Sequence, residues 1–266
     1  MLAFIGHHLE KPSRQSNHVV LLLHAFPLSN EMWKPQLAAL SEAGHSVLAP
    51  NVYGIGGSEP RTDWTMRHYA EALHELVTRF GFTSVSLIGV SMGGYQAFAF
   101  QRRYPDMVAS MMLCDTRADA DTDEARNRRF EFIEALKQNG ISEAKARMIP
   151  KLLGKTTHAE NPELAGQLSV IIERHRIEPV IEQLKALAHR PDSTSHLSSI
   201  HCPTLVVVGE EDELTPPALA KSMAEKIPNA QLEIIPKAGH LPNLEQPERF
   251  NELMLKHLQK LTFANA

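Results

Sequence analysis

Three short stretches do most to limit how this chain can fold. "HVVLLLH" (18–24), "SVSLIGV" (84–90) and "TLVVVGE" (204–210) are apolar almost throughout, not at every second position. A strand that alternates keeps one face in water. A strand that does not must be covered on both faces, as in a parallel sheet packed between helices. "HSVLAPN" (45–51), "VASMMLCD" (108–115) and "AQLEIIP" (230–236) are weaker runs of the same kind. Helix-length segments separate them, among them "NEMWKPQLAALSEAG" (30–44) and "TMRHYAEALHELVTRFG" (65–81). The second puts Tyr69, Leu73, Leu76, Val77 and Phe80 on one face and stops at Gly81. Strand and helix in alternation predict an α/β fold with a mostly parallel sheet.

The alternation fails between about residues 117 and 196. Four segments there carry helical patterns and no strand: 121–140, 141–154, 161–175 and 177–190. They are punctuated by Asn139-Gly140, Asn161-Pro162 and Pro179. Strand character resumes at Thr204. The expected organisation is a core in two parts, 1–116 and 197–266, with a helical cap of residues 117–196 inserted between them.

Bulk properties exclude more than they assign. A length of 266 residues fits one large domain or two small ones. The 27 basic and 31 acidic residues are mixed along the chain, giving a net charge of −4 and no basic stripe, so nucleic acid is not an expected partner. Cys114 and Cys202 lie far apart and flank apolar runs, which reads as two free thiols in a reducing compartment. "MLAFIGHHLEK" has no basic residue before its short apolar patch, unlike a secretion signal. No apolar run approaches the roughly 20 residues of a membrane span. A cytoplasmic protein without a membrane partner is expected.

"GVSMGG" (89–94) joins the strand-like 84–90 to a helical segment, and matches G-x-S-x-G. Small residues two places either side of Ser91 let neighbouring backbone approach, so a sharp turn can lift the hydroxyl above the sheet. A serine hydroxyl is a poor nucleophile until a base takes its proton. His240, in "AGHLPNLEQPERF" after the last strand-like run, is placed to be that base. The acid that orients it falls in "VVVGEEDELTPP". Asp212 is the reading there, and Asp115, after the preceding core strand, is the rival. Oxyanion donors are expected at the backbone amides of Met92, after the nucleophile, and Phe26, in "HAFPLS" after the first core strand.

With these pieces in order, the chain resembles the α/β-hydrolase superfamily, and within it the small capped carboxylesterases, 3-oxoadipate enol-lactonases and metal-free perhydrolases. The matching stretches include "LLLHAFPLSNEMW", "GIGGSEP", "LIGVSMGG", "LVVVGEEDELTPP" and "AGHLPNLEQPERF". The resemblance implies Ser91 as nucleophile, Asp212 as acid, His240 as base, and Phe26 and Met92 as oxyanion amides. It implies a small-molecule ester or lactone substrate, cleaved through an acyl-enzyme, with carbon–carbon bond hydrolysis or peracid formation on the same triad, or a non-catalytic small-molecule receptor, as the alternatives. Ala25 stands where many relatives carry glycine, and Asn51 and Tyr53 replace residues common before the G-x-G-x-S stretch. There is no H-E-x-x-H and no Cys/His cluster, so neither metal nor cofactor is expected. Phe130, Ile133, Met148 and Leu152 are cap residues that line the pocket or form the cap's own core.

Overall fold

The three apolar runs lie side by side or one strand apart at the centre of a seven-stranded sheet. The computed structural model describes residues 1–10 and 17–261, so residues 11–16 and 262–266 of the predicted core stretches lie outside it. The strands are β1 (Phe4–His7), β2 (His18–Leu23), β3 (Val47–Pro50), β4 (Ser84–Val90), β5 (Val108–Cys114), β6 (Thr204–Gly209) and β7 (Gln231–Ile235). Their order is β1-β3-β2-β4-β5-β6-β7, and all neighbours are parallel except β1 with β3. Every residue of β2 after His18, of β4 after Ser84, and of β6 is buried.

β1 carries no apolar run that would announce it. It is four half-exposed residues long and gains its place by antiparallel pairing, Phe4 opposite Pro50. β7 closes the other edge with Ile234 outward.

Helices α1 (Lys34–Glu42), α2 (Met66–Arg79) and α3 (Met92–Arg103) follow β2, β3 and β4. Thr65 caps α2 by accepting the His68 amide, and the His68 ring reaches back to the Thr65 amide. The buried face of α2 holds Tyr69, Leu73, Leu76 and Val77, and the chain leaves through Gly81 at φ +80°. Five helices lie between β5 and β6, not the four expected. They are α4 (Asp123–Asn139), α5 (Ser142–Leu152), α6 (Lys155–Glu160), α7 (Pro162–Glu173) and α8 (Ile177–Ala188). The additional one, α6, is only six residues long and too short to show a period. The chain ends through α9 (Pro217–Lys226), α10 (Pro242–Glu245) and α11 (Pro247–Gln259).

Ser91 follows β4 directly, Asp212 lies three residues past β6, and His240 lies five past β7. All three are at the carboxyl ends of parallel strands, the edge where open α/β sheets gather ligands.

Candidate active site

Ser91 sits between β4 and α3 at φ 57°, ψ −113°, a conformation an L-residue rarely adopts. The surroundings hold it there. Its amide donates to the Cys114 carbonyl at 2.9 Å, and its carbonyl accepts from Gly94 N at 3.0 Å and Thr116 Oγ1 at 2.8 Å. The flanking glycines are a matter of space. A Cβ on Gly89 would lie 2.4 Å from the Gly93 backbone, and one on Gly93 would lie 2.0 Å from the Leu23 carbonyl oxygen. Only a chain without side chains at both places can pack this turn against β2.

His240 and Asp212 are both buried, and the His240 ring meets the carboxylate through Nδ1···Oδ2 at 2.8 Å. A carboxylate only accepts, so Nδ1 carries the proton of this bond. Asp212 is held in turn by Thr215 Oγ1 at 2.6 Å on Oδ2, and by the Leu214 and Thr215 amides at 2.8 and 3.1 Å on Oδ1. Burial alone would raise its pKa. The His240 ring and these hydrogen bonds outweigh burial and hold the carboxyl well below its usual range.

The rival acid plays a different part. Asp115 is buried at φ 45°, and its Oδ1 accepts the Gly209 amide at 2.8 Å. Burial, and then the neighbouring Asp212, push its pKa well above the normal value, which favours its neutral form. Asp115, Asp212 and His240 each bring one atom within 4.8 Å of the others. Two of those three are already bonded to each other. Asp212→Asn should leave the imidazole in the wrong tautomer and lower kcat by about 10⁴-fold. Asp115→Asn keeps an acceptor for the Gly209 amide and removes no bond to His240, so it should change kcat by less than about tenfold. Equal losses in kcat measurements of the two variants would return the orienting role to Asp115.

Ser91, His240, Phe26 and Met92 line one cavity of about 130 Å³. The Phe26 and Met92 amides have no protein acceptor among the described residues. No hydrogen bond under 3.5 Å joins Ser91 to His240 among the described residues.

Several residues that shape the site give no signal in the sequence. Glu245 Oε1 accepts the amides of Gly239 and Leu241, on either side of His240, at 2.9 and 3.0 Å. Its Oε2 accepts Gly154 N and Thr157 Oγ1 from the α5–α6 region at 2.7 and 2.6 Å. Glu211, one of four consecutive acids, binds Thr156 through N and Oγ1 at 2.8 and 2.6 Å. Two carboxylates thus tie the inserted helices to the loops that carry Asp212 and His240. Asn51 accepts the Asn30 amide at 2.7 Å and pins the loop after β3. Of the four cap residues considered from the sequence, only Met148 lines the Ser91 cavity. Ile133 and Leu152 are packed in the core, and Phe130 is exposed beside His189. The remaining wall is more polar than an apolar pocket: Arg117, Arg129 and Arg190 all face the cavity. Asp121, itself buried, bonds Arg129 and also Arg190 Nη1, the latter at 2.6 Å.

A family model described as the alpha/beta hydrolase fold matches residues 18–247. The chain belongs to that family. This hydrolase superposes on an esterase from Thermogutta terrifontis with a TM-score of 0.91 and 38% identity, covering 98% of this chain and 93% of that one. An enol-lactonase from Burkholderia xenovorans LB400 shares the fold at TM-score 0.86 and 21% identity, with 97% and 96% of the two chains covered. A relative from Escherichia coli O26:H11 (strain 11368 / EHEC), named "Putative carbamate hydrolase RutD", is 26% identical over 261 residues, 95% of this chain and 96% of that one. Both cysteines of the hydrolase are free, and no helix among the described residues is long and apolar enough to cross a membrane.

Proposed function

We propose that this hydrolase cleaves small carboxylic esters through an acyl-enzyme on Ser91. The observation that carries the reading is the buried His240–Asp212 pair opening on the same cavity as a serine held at φ 57°. The 38% identity to an esterase over nearly the whole chain supports it.

In this mechanism His240 Nε2 takes the Ser91 proton as Oγ attacks the ester carbonyl. The Phe26 and Met92 amides receive the charge that develops on the carbonyl oxygen. The imidazolium, stabilised by Asp212, then protonates the leaving alkoxide, and the alcohol departs. Water enters, His240 takes its proton, and the second tetrahedral intermediate collapses to the acid and free Ser91. A lactone or a carbamate carbonyl would meet the same groups. Residues 117–196 serve as the cap, supplying Met148, Arg129 and Arg190 to the cavity wall and fastened by Glu211 and Glu245. The two unpaired thiols fit a cytoplasmic setting.

The test is hydrolysis of p-nitrophenyl esters from acetate to decanoate. A cavity of about 130 Å³ should favour acetate to butyrate and turn over decanoate poorly. Equal rates across the series would overturn the small acyl pocket. No turnover of any ester would overturn the esterase reading and direct assays to lactones and carbamates.

A further inference from the structure

A second cavity of about 310 Å³ lies beside the first, with Tyr95 and Arg190 lining both. It follows α3 away from the nucleophile, past Ala99 to Arg102 and Arg103. At 1.5 Å per residue, Arg102 is about 16 Å along the helix from Ser91, so a ligand held there is clear of the reacting atoms. Four arginines line this cavity, Arg67, Arg102, Arg103 and Arg190, and no acidic side chain does.

Their charge is only partly neutralised by neighbours. Arg67 and Arg103 share one carboxylate, Glu71, at 3.2 and 2.8 Å. Arg102 Nη2 has neutral partners, the Asp192 carbonyl at 3.4 Å and Ser193 Oγ at 3.2 Å. The Asp192 carboxylate, also in its field, accepts the Thr194 and Ala120 amides. Arg190 is the buried member, its side chain only 2% exposed. It bonds Asp121 and the Leu187 and Asp119 carbonyls, and its guanidinium lies 4.4 Å over the Tyr95 ring. Its Nε–H has no partner among the described residues. Ala99, Met66 and Pro191 complete an apolar wall beside this charge.

We propose that this cavity binds a small organic anion, a carboxylate on a short apolar or aromatic body. The arginines meet the carboxylate, where planar guanidinium groups bind it through paired hydrogen bonds. The apolar wall and the Tyr95 ring cover the body.

The experiment is calorimetric titration of the full chain with benzoate, with benzyl alcohol as its uncharged counterpart and inorganic phosphate as an anion lacking the apolar body. Benzoate should bind with a dissociation constant of about 1 mM or below. Benzyl alcohol should not bind measurably, and phosphate should bind more weakly than benzoate. Arg102→Gln and, separately, the exposed Arg67→Gln should each weaken benzoate about tenfold while leaving hydrolysis of an uncharged ester unchanged. Ser91→Ala should bind benzoate like the parent, so this site and the esterase reading fail independently. Absence of benzoate binding would overturn the proposal, and so would an affinity unaltered in both arginine variants, which would place the anion beside Arg117 and Arg129 instead. Phosphate binding as tightly as benzoate would overturn the organic class of ligand.

Discussion

Ser91→Ala should lower kcat for p-nitrophenyl acetate by about 10⁴–10⁶-fold and leave the melting temperature nearly unchanged. The first half follows from chemistry: without Oγ no acyl-enzyme forms, and His240 has no serine proton to take. The second follows from contacts. The turn is held through the Ser91 amide and carbonyl, bonded to Cys114, Gly94 and Thr116, and alanine keeps both. Alanine also carries the same backbone strain at φ 57° as serine. Ser91→Gly should lose the same activity and gain about 1 kcal/mol of stability, because glycine adopts that φ without strain. Steady-state kinetics and thermal melts of the two variants separate catalytic from structural roles. Retained turnover in Ser91→Ala would mean that the nucleophile lies elsewhere.

The parts of this molecule that were legible in the sequence are those fixed by local pattern. An unbroken apolar run such as 204–209 needs two covered faces wherever it sits, and it became a strand buried throughout. The glycines about Ser91 answer to a steric demand within five residues, so they too are readable. What could not be read depends on partners distant in the chain. Whether His240 meets Asp212 or Asp115 rests on how β5 and β6 lie beside each other, and both acids end within reach. Glu245 looks like any solvated acid in "LEQPE", yet it binds backbone on both sides of His240 and on Gly154, 91 residues away. Arg129 and Arg190 come from α4 and from just past α8, and become wall residues only because buried Asp121 gathers both. The short β1 exists only because β3 offers an edge.

Three histidines, His24 and His257 buried and His18 half-buried, should make the fold unstable in mild acid. Burial pushes His18, His24 and His257 down from 6.5 to about 4. His24 shows the cause in its contacts. Its Nδ1–H donates to the Ala25 carbonyl at 3.0 Å, and its Nε2 accepts the Val52 amide at 3.2 Å. A second ring proton would point a donor at that amide, in the residue just before the Phe26 loop. Each group is neutral in the folded chain and takes up a proton on unfolding once the pH falls below about 6.5. Their stability contribution is therefore complete above that pH and is lost progressively as pH falls toward 4. Asp115 works the other way. Its raised pKa means that the folded chain holds a proton the unfolded chain has released, which favours folding as the pH drops. Three protons taken up on unfolding outweigh one given off. In mid-window the net loss is of order 2–3 kcal/mol per pH unit. For a chain of this size that is a fall in melting temperature of about 5–10 °C between pH 6 and pH 5. Below pH 4 the depressed carboxyl of Asp212 adds a further loss, since the unfolded chain then binds the proton that His240 and Thr215 keep off it. Scanning calorimetry at pH 7, 6 and 5 reads the slope directly. His257→Phe, at a buried position with an unpartnered Nε2, should flatten it by about one proton without touching the catalytic cavity. A melting temperature that does not move from pH 7 to pH 5 would show that these histidines are charged in the folded state.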